Sequence, residues 1–319
     1  MKYFIIGGAG FIGSHLVKTL LKEEKNVKVV VYDNFSSGKM QHFDEFEHNP
    51  NLKIIRDDVK NKENLNQAMA GADVVYHLAS NPDISKAVTQ PDIDFWEGTY
   101  LTNNVLEAMR INGIKRLLYA SGSGVYGDVG LIETEEDYSP LLPISTYGAS
   151  KLSCEALICA YCHLFGLTAN IFRFANVVGP HQTHGVGYDF VRQLMSNPRQ
   201  LQILGDGTQS KSYIYISDVI SAMKILKEKA PDGFSCYNVA TLDYITVTAI
   251  ADIIVSILGL KDVKYKYTGG NRGWKGDVPV VRLNSNRIRS FGWANTYSTK
   301  EAIYNSVNSI CEDAKHNKS

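Results

Sequence analysis

Tyr147 and Lys151 stand four residues apart in "STYGASK", at the start of a strongly helical stretch. That spacing puts both side chains on one helix face. A free phenol titrates near ~10 and is a poor base at neutral pH. A nearby ammonium and a positive nicotinamide ring favour the phenolate. A tyrosine so placed takes the proton of a substrate hydroxyl while hydride leaves the carbon. The pattern gains weight from another about 140 residues upstream. In "IIGGAGFIGSHL", Gly7, Gly10 and Gly13 give the spacing GxxGxxG between an apolar run and a helical pattern. Gly7 allows a tight turn out of a strand, Gly10 lets backbone approach a pyrophosphate, and Gly13 lets the helix pack close to the sheet. The helix N-terminus offers free N–H groups and partial positive charge to phosphate. Asp33, in "VYDN", follows Gly13 by twenty residues and suits the adenosine ribose hydroxyls. An acid there repels a 2′-phosphate, so the expected cofactor is NAD rather than NADP.

These residues need a sheet with helices to hold them. "KYFIIGG", "VKVVVYD", "LKIIRDD", "DVVYHLAS", "RLLYASG" and "TANIFRFAN" read as strands. Between them "GSHLVKTLLKEE", "KENLNQAMAG", "TNNVLEAMRING" and "SKLSCEALICAYCHLFG" read as helices. The alternation implies parallel βαβ units, and near-continuous apolar strands fit a sheet covered on both faces. From about Ala175 the rhythm loosens into loops rich in Gly, Asn and Pro. Residues 1–174 are expected to form the NAD-binding domain. Residues 175–319 are expected to form mainly a substrate-binding lobe, with some segments returning to the first domain.

The 319 residues carry no net formal charge, with 44% hydrophobic and 21% charged residues. That balance gives no pull toward nucleic acid or an anionic membrane. No run of about 18 apolar residues suggests a membrane span. The chain opens directly on a strand, so no signal peptide and a cytoplasmic location are expected. Cys159 and Cys162 form a CxxC inside a helical pattern without a second pair, so core thiols are expected rather than zinc. His181 and His184 lack a cysteine or carboxylate at ligand spacing and read as loop residues. No metal is expected.

The motifs "GGAGFIGSHL", "YDNFSSG", "DDV", "HLAS", "SGSGVYG", "YGASK", "RFANVVGP", "GDGTQSKSYIYISDV" and "RGWKGDVP" cover nearly the whole chain. Together they resemble the extended short-chain dehydrogenase/reductase family, and within it the UDP-glucose 4-epimerases. The resemblance implies an α/β fold: a doubly wound parallel Rossmann sheet with a smaller C-terminal lobe for a nucleoside diphosphate sugar. It places cofactor contacts on Gly7, Gly10, Phe11, Ile12, Gly13, Asp33, Asn34, Ser36, Gly38, Asp58, Val59, Leu78, Ala79, Tyr147, Lys151 and Phe174. Asp58 and Val59 would meet the adenine, and Leu78 and Ala79 would pass beneath the pyrophosphate and ribose. Asn176 matches the family's substrate-binding asparagine. Relatives pair through two helices, which here are "TNNVLEAMRI" and "SKLSCEALICAYCHLFG", so a homodimer is expected.

The sequence also departs from those relatives. Where they carry Ser or Thr four residues before the Tyr of "VYG", this chain has Gly122, flanked by Ser121 and Ser123. Either serine is a candidate to replace that hydroxyl, and either is equally a turn residue. Gly98 stands where many epimerases have Asn, and Pro82 where they have Lys. Lys211 and Ser212 replace an Arg-Asp, and Lys211 meets a phosphate only as a point charge. Arg272 and Lys275 are candidates for the diphosphate, with Trp274 a wall or a packing residue. Val281 falls where epimerases restricted to UDP-glucose and UDP-galactose place a Tyr near the hexose C2. Rival readings are a dehydratase, decarboxylase or reductase of the same fold, or a non-catalytic NAD-binding regulator. Dehydratase relatives place an Asp-Glu pair just before "VYG", and the matching Ser123 and Gly124 carry no acid.

Overall fold

The computed structural model describes residues 1–316. Six strands form where the apolar runs lie: β1 (Lys2–Ile6), β2 (Lys28–Asp33), β3 (Leu52–Arg56), β4 (Val74–His77), β5 (Arg116–Gly122) and β6 (Thr168–Phe174). With Phe234–Val239 they make a seven-stranded sheet in the order Phe234–Val239, β6, β5, β4, β1, β2, β3. The pairs β1–β2, β1–β4, β2–β3 and β4–β5 are parallel, with Ile6 opposite both Tyr32 and His77. The order reverses between β1 and β4, and in such sheets ligands bind beyond the strand ends at that reversal. The expected Rossmann-like α/β sheet is therefore present. The helices are α1 (Phe11–Glu23), α2 (Lys62–Met69), α3 (Tyr100–Ile111) and α4 (Thr146–Phe165). Val105, Leu106, Met109, Cys154, Ile158 and Cys162 from α3 and α4 join sheet residues such as Leu117 and Tyr119 in one buried core.

The chain divides into two compact units. The first comprises residues 1–125, 146–173 and 220–237, and holds the sheet core. The second comprises residues 126–145, 174–219 and 238 onward. Within the second, short strands pair as Asn176–Val178 with Tyr213–Tyr215, Ser210–Lys211 with Ile245–Thr246, and Gln200–Ile203 with Lys264–Tyr267. Phe190, Leu194, Leu201, Ile203, Ile250, Ile254 and Val307 pack into its core. Segment 126–145 is joined there by backbone hydrogen bonds between Thr134 and both Arg282 and Asn284, each 2.9 Å. Among the described residues no helix is long and apolar enough to cross a membrane.

Candidate functional site

In the first unit, the turn after β1 is closely approached by the chain after β4 and by α1. Gly7 has φ +75°, and a Cβ there would come within 2.7 Å of the Ala79 amide nitrogen. Strand β4 thus delivers Leu78 and Ala79 directly against the turn, and the Leu78 N–H donates to the Ile6 carbonyl at 2.9 Å. A Cβ on Gly13 would lie 2.3 Å from the Gly7 oxygen, so α1 rests on the turn itself. Gly10, just before α1, brings no side-chain cap, and the first turn holds no acid. The first-turn N–H groups, Phe11, Ile12 and Gly13 among them, therefore have no side-chain cap or first-turn carboxylate of their own, an arrangement suited to an anion.

Asp33, 8% exposed at the end of β2, ties the turn down. One carboxylate oxygen accepts the Ala9 N–H at 2.9 Å and the other the Phe35 N–H at 2.8 Å. Each oxygen keeps a further lone pair for a ribose hydroxyl. Burial pushes its pKa above the usual carboxylate value, against the lowering effect of those two N–H bonds. Lys39, next to Gly38, donates its N–H to the Ala9 carbonyl at 3.2 Å, which holds the following loop to the glycine turn. Asn34 donates to Asp58 at 3.0 Å, and exposed Ser36 donates its N–H to Asn34 at 3.0 Å. Val59 is buried in the core and its carbonyl accepts from Asn104 at 3.2 Å, so Asp58 is the better placed of that pair to meet a base. These donors, close backbone approaches and a ribose-reaching acid fit a dinucleotide.

Helix α4 carries the second constellation. Lys151 is 4% exposed and donates to the Ala120 carbonyl at 2.8 Å, at the end of β5. Its ammonium lies 5.1 Å from the Tyr119 ring centre and 5.5 Å from that of Tyr147, within cation–π reach of both. Tyr147 itself is half-buried. His77, fully buried at the end of β4, meets Thr102 at 3.0 Å. Burial first, and the Lys151 charge second, push its pKa down to about 3, so it stays neutral beside that ammonium. The start of α4 is held by Asp94, 2% exposed, which accepts from Thr146 at 2.7 Å and Asn81 at 2.9 Å. Ser150 donates to the Asp94 carbonyl at 2.6 Å and meets Thr99 at 3.1 Å. Residues 95–99 form a π-helical turn, and a Cβ on Gly98 would sit 2.2 Å from Ser150 Oγ. A side chain at this position would force the Ser150 hydroxyl to move.

The two serines flanking Gly122 are not equivalent. Ser121 is 5% exposed and donates its hydroxyl to Glu155 at 2.5 Å. Ser123, at the start of the following short 3₁₀ turn, is half-buried.

The substrate candidates lie in the second unit. Phe174, expected to contact the cofactor, is buried at the end of β6. Asn176 donates backbone and side-chain N–H to the Ser212 carbonyl at 3.3 and 3.4 Å. Lys211 and Arg272 are brought together by Asp277. Its carboxylate pairs with Lys211 at 2.6 Å and accepts the Gly273 N–H at 3.0 Å, while its carbonyl accepts from Arg272 at 2.5 Å. Arg272 also pairs with Asp128 at 2.5 Å. Val281, half-buried, donates its N–H to the Ser210 carbonyl at 3.2 Å, one residue from Lys211. Its neighbour Arg282 is committed elsewhere, stacked 3.8 Å from the Tyr244 ring centre and bonded to Ser210. Lys275 is exposed. The Trp274 ring covers Gly276, where a Cβ would come within 2.4 Å of it. Among the described residues no group of three or more His, Cys, Asp or Glu could hold a metal ion.

A family model described as the NAD dependent epimerase/dehydratase family matches residues 3–240. The chain belongs to this family. NAD is its cofactor. A solved UDP-galactose 4-epimerase matches with a TM-score of 0.85 and 36% identity, over 98% of this chain and 99% of that one. A solved UDP-N-acetylglucosamine 4-epimerase from Methanobrevibacter ruminantium M1 gives a TM-score of 0.86 at 27% identity, over 98% of each chain. A dTDP-D-glucose 4,6-dehydratase of Dictyostelium discoideum is 32% identical over 272 residues, 80% of this chain and 62% of that protein. As a member of this family, the chain is an enzyme of the nucleotide-sugar epimerase and dehydratase group.

Three acids near these groups, Asp94, Asp128 and Glu155, lie outside the sequence motifs, while Arg173 and Asp277 lie inside "RFANVVGP" and "RGWKGDVP" with no role read for them. Glu155 falls four residues after Lys151, on the same helix face, and Arg173 is the lone charge in "TANIFRFAN". Those two signals are legible in retrospect. Nothing in the local sequence marks Asp94.

Proposed function

We propose that the enzyme inverts C4 of a UDP-hexose of the UDP-glucose/UDP-galactose type through a 4-keto sugar. The observation that carries the reading is Tyr147 set beside the buried Lys151 ammonium, with Ser123 rather than an acid at the turn below. NAD, when bound, supplies the reversible oxidant for C4. Tyr147 takes the 4-hydroxyl proton, helped by the Lys151 charge, and gives it back after the sugar has turned about its diphosphate linkage. Ser123 holds the C4 oxygen during both transfers. Asn176, Lys211 and Arg272 hold the diphosphate, which keeps the keto sugar from leaving. A 4,6-dehydratase must protonate a departing C6 hydroxyl. Neither Ser123 nor Gly124 offers an acid for that step.

Val281 leaves the hexose C2 without a tyrosine ring, so 2-acetamido sugars are expected to be tolerated. Tolerance adds little affinity by itself. The test is incubation of the NAD-loaded protein with UDP-glucose, UDP-galactose, UDP-N-acetylglucosamine and dTDP-glucose, read by NMR. Interconversion of C4 epimers supports the reading. Loss of the C6 oxygen, or turnover of dTDP-glucose alone, sinks it.

A further inference from the structure

Buried beneath α4 is a charge pair that neither the glycine turn nor the Tyr–Lys pattern calls for. Glu155 is 3% exposed and Arg173 is 4% exposed. The guanidinium donates Nε to both carboxylate oxygens, at 3.1 and 3.2 Å, and a terminal nitrogen to one of them at 2.6 Å. The Cys236 thiol lies 3.9 Å from the same carboxylate. Burying such a pair costs desolvation on both sides, and well-packed apolar residues often serve stability as well or better. Stability alone is a weak reason for it.

Its connections suggest another. Glu155 lies one helical turn beyond Lys151, so one face of α4 carries both. Tyr119 and Ser121 share one face of β5, because side chains alternate along a strand. Glu155 accepts the Ser121 hydroxyl at 2.5 Å, and Lys151 donates to the carbonyl of Ala120, the residue between them, at 2.8 Å. Arg173 ties the same carboxylate to β6. One acid therefore fixes the rotation of α4 against two strands, and it does so one turn from the ammonium and one residue from its acceptor.

The geometry points to Glu155 and Arg173 as positioning residues that set the height of the Lys151 ammonium on β5 by gripping Ser121. Ser121 then belongs to the brace, and Ser123 is the hydroxyl that meets substrate. This rests on the proposed role of Lys151 beside Tyr147 and the nicotinamide ribose.

The experiment compares Glu155→Met/Arg173→Met, Glu155→Gln, Ser121→Ala and Tyr147→Phe. Tm, NAD affinity by calorimetry, and kcat and KM for the best nucleotide sugar are measured for each. The double variant removes both charges and keeps bulk, so its Tm should fall only by roughly the few degrees that the lost Ser121 acceptor costs. Its kcat should nonetheless fall about 10–100-fold, with KM changed less than about threefold, because the ammonium is misplaced rather than lost. NAD affinity should fall by about 5–10-fold. Glu155→Gln should lower Tm as well, and full retention of NAD affinity in that variant would count against the brace. Ser121→Ala should lower kcat only about 3–10-fold. A double variant with wild-type kcat and NAD affinity overturns the proposal, and so does a Ser121→Ala loss as deep as that of Tyr147→Phe. Should the wild type turn over no nucleotide sugar, the epimerase reading fails by itself. The brace is then decided by NAD affinity: unchanged binding in the folded double variant rejects it.

Discussion

Asp33→Ala is expected to damage more than a ribose contact. The carboxylate accepts the N–H of Ala9, inside the glycine turn, at 2.9 Å, and that of Phe35 at 2.8 Å. At 8% exposure, water is a poor substitute for the missing acceptor. A hydrogen bond to a charged group contributes about 1.5–3 kcal/mol, so the pair is worth about 3–6 kcal/mol. Ionising a buried acid offsets part of this. Burial raises the folded pKa above the usual carboxylate value. Below that value the group is neutral in both states. As pH climbs through the raised folded value, the folded state resists ionisation and this contribution to stability declines. Asp33→Ala should lower Tm by roughly 5–10 °C near neutral pH, and stability should vary less as pH rises above the usual carboxylate value. NAD affinity should fall at least about tenfold, since the pyrophosphate turn loosens along with the ribose site. The preference for NAD over NADP should narrow because NAD weakens, with little gain for NADP. Melting curves and calorimetry with both dinucleotides measure this. A variant with wild-type Tm and NAD affinity, but strengthened NADP binding, would refute the idea that Asp33 anchors the turn.

Other expectations follow from the same geometry. Tyr147→Phe should fold and bind NAD yet lose about 10²–10⁴ in kcat, the span of a lost acid–base group; a wild-type rate would remove Tyr147 from the chemistry. Lys151→Ala should weaken NAD in calorimetry and lower kcat together, because the buried ammonium serves both, and damage to only one would split that role. Ile111, Leu164 and Phe165 are exposed at the ends of α3 and α4, with Phe165 between Arg110 and Tyr161. A homodimer through these helices is expected, and a monomeric mass by light scattering at micromolar concentration would contradict it. Val281→Tyr should reject UDP-N-acetylglucosamine while keeping UDP-glucose; equal rejection by wild type would show that position 281 does not set the pocket.

Most strands and helices of the first unit were legible, because its first six strands carry apolar runs and helices such as α1 and α2 carry a 3.6-residue stripe; the helix Ile216–Lys229, which enters this unit at Ile220, was not among them. The glycine turn was legible because its spacing answers backbone geometry, which neighbours in sequence set. The seventh strand, Phe234–Val239, was not. Its Asn238 is fully buried, and its side chain is satisfied by Tyr126, Thr134 and Asn284, all distant in sequence. A buried polar residue with remote partners reads locally as a loop. The same holds for residues 126–145, whose place in the second unit depends on backbone pairing across about 150 residues. Choosing between Ser121 and Ser123 needed to know which face of β5 meets Glu155. Sequence spacing alone offers no such direction. The acids that hold Lys211 and Arg272 were hidden for a related reason: an ion pair leaves no periodic trace.

The contact between Gly98 and Ser150 has a consequence for how this enzyme can change by mutation. A side chain at position 98 would strike Ser150 Oγ, and that hydroxyl is the one that bonds the Asp94 carbonyl at 2.6 Å. Asp94 in turn holds Thr146, the residue before Tyr147, at 2.7 Å. An asparagine introduced at 98 alone would therefore disturb the tyrosine without touching it. A glycine at 150 would remove the clash, but with it the hydroxyl that bonds the Asp94 carbonyl. The two positions are therefore coupled: an asparagine at 98 is accommodated only where the hold on Asp94 is rebuilt without the Ser150 hydroxyl.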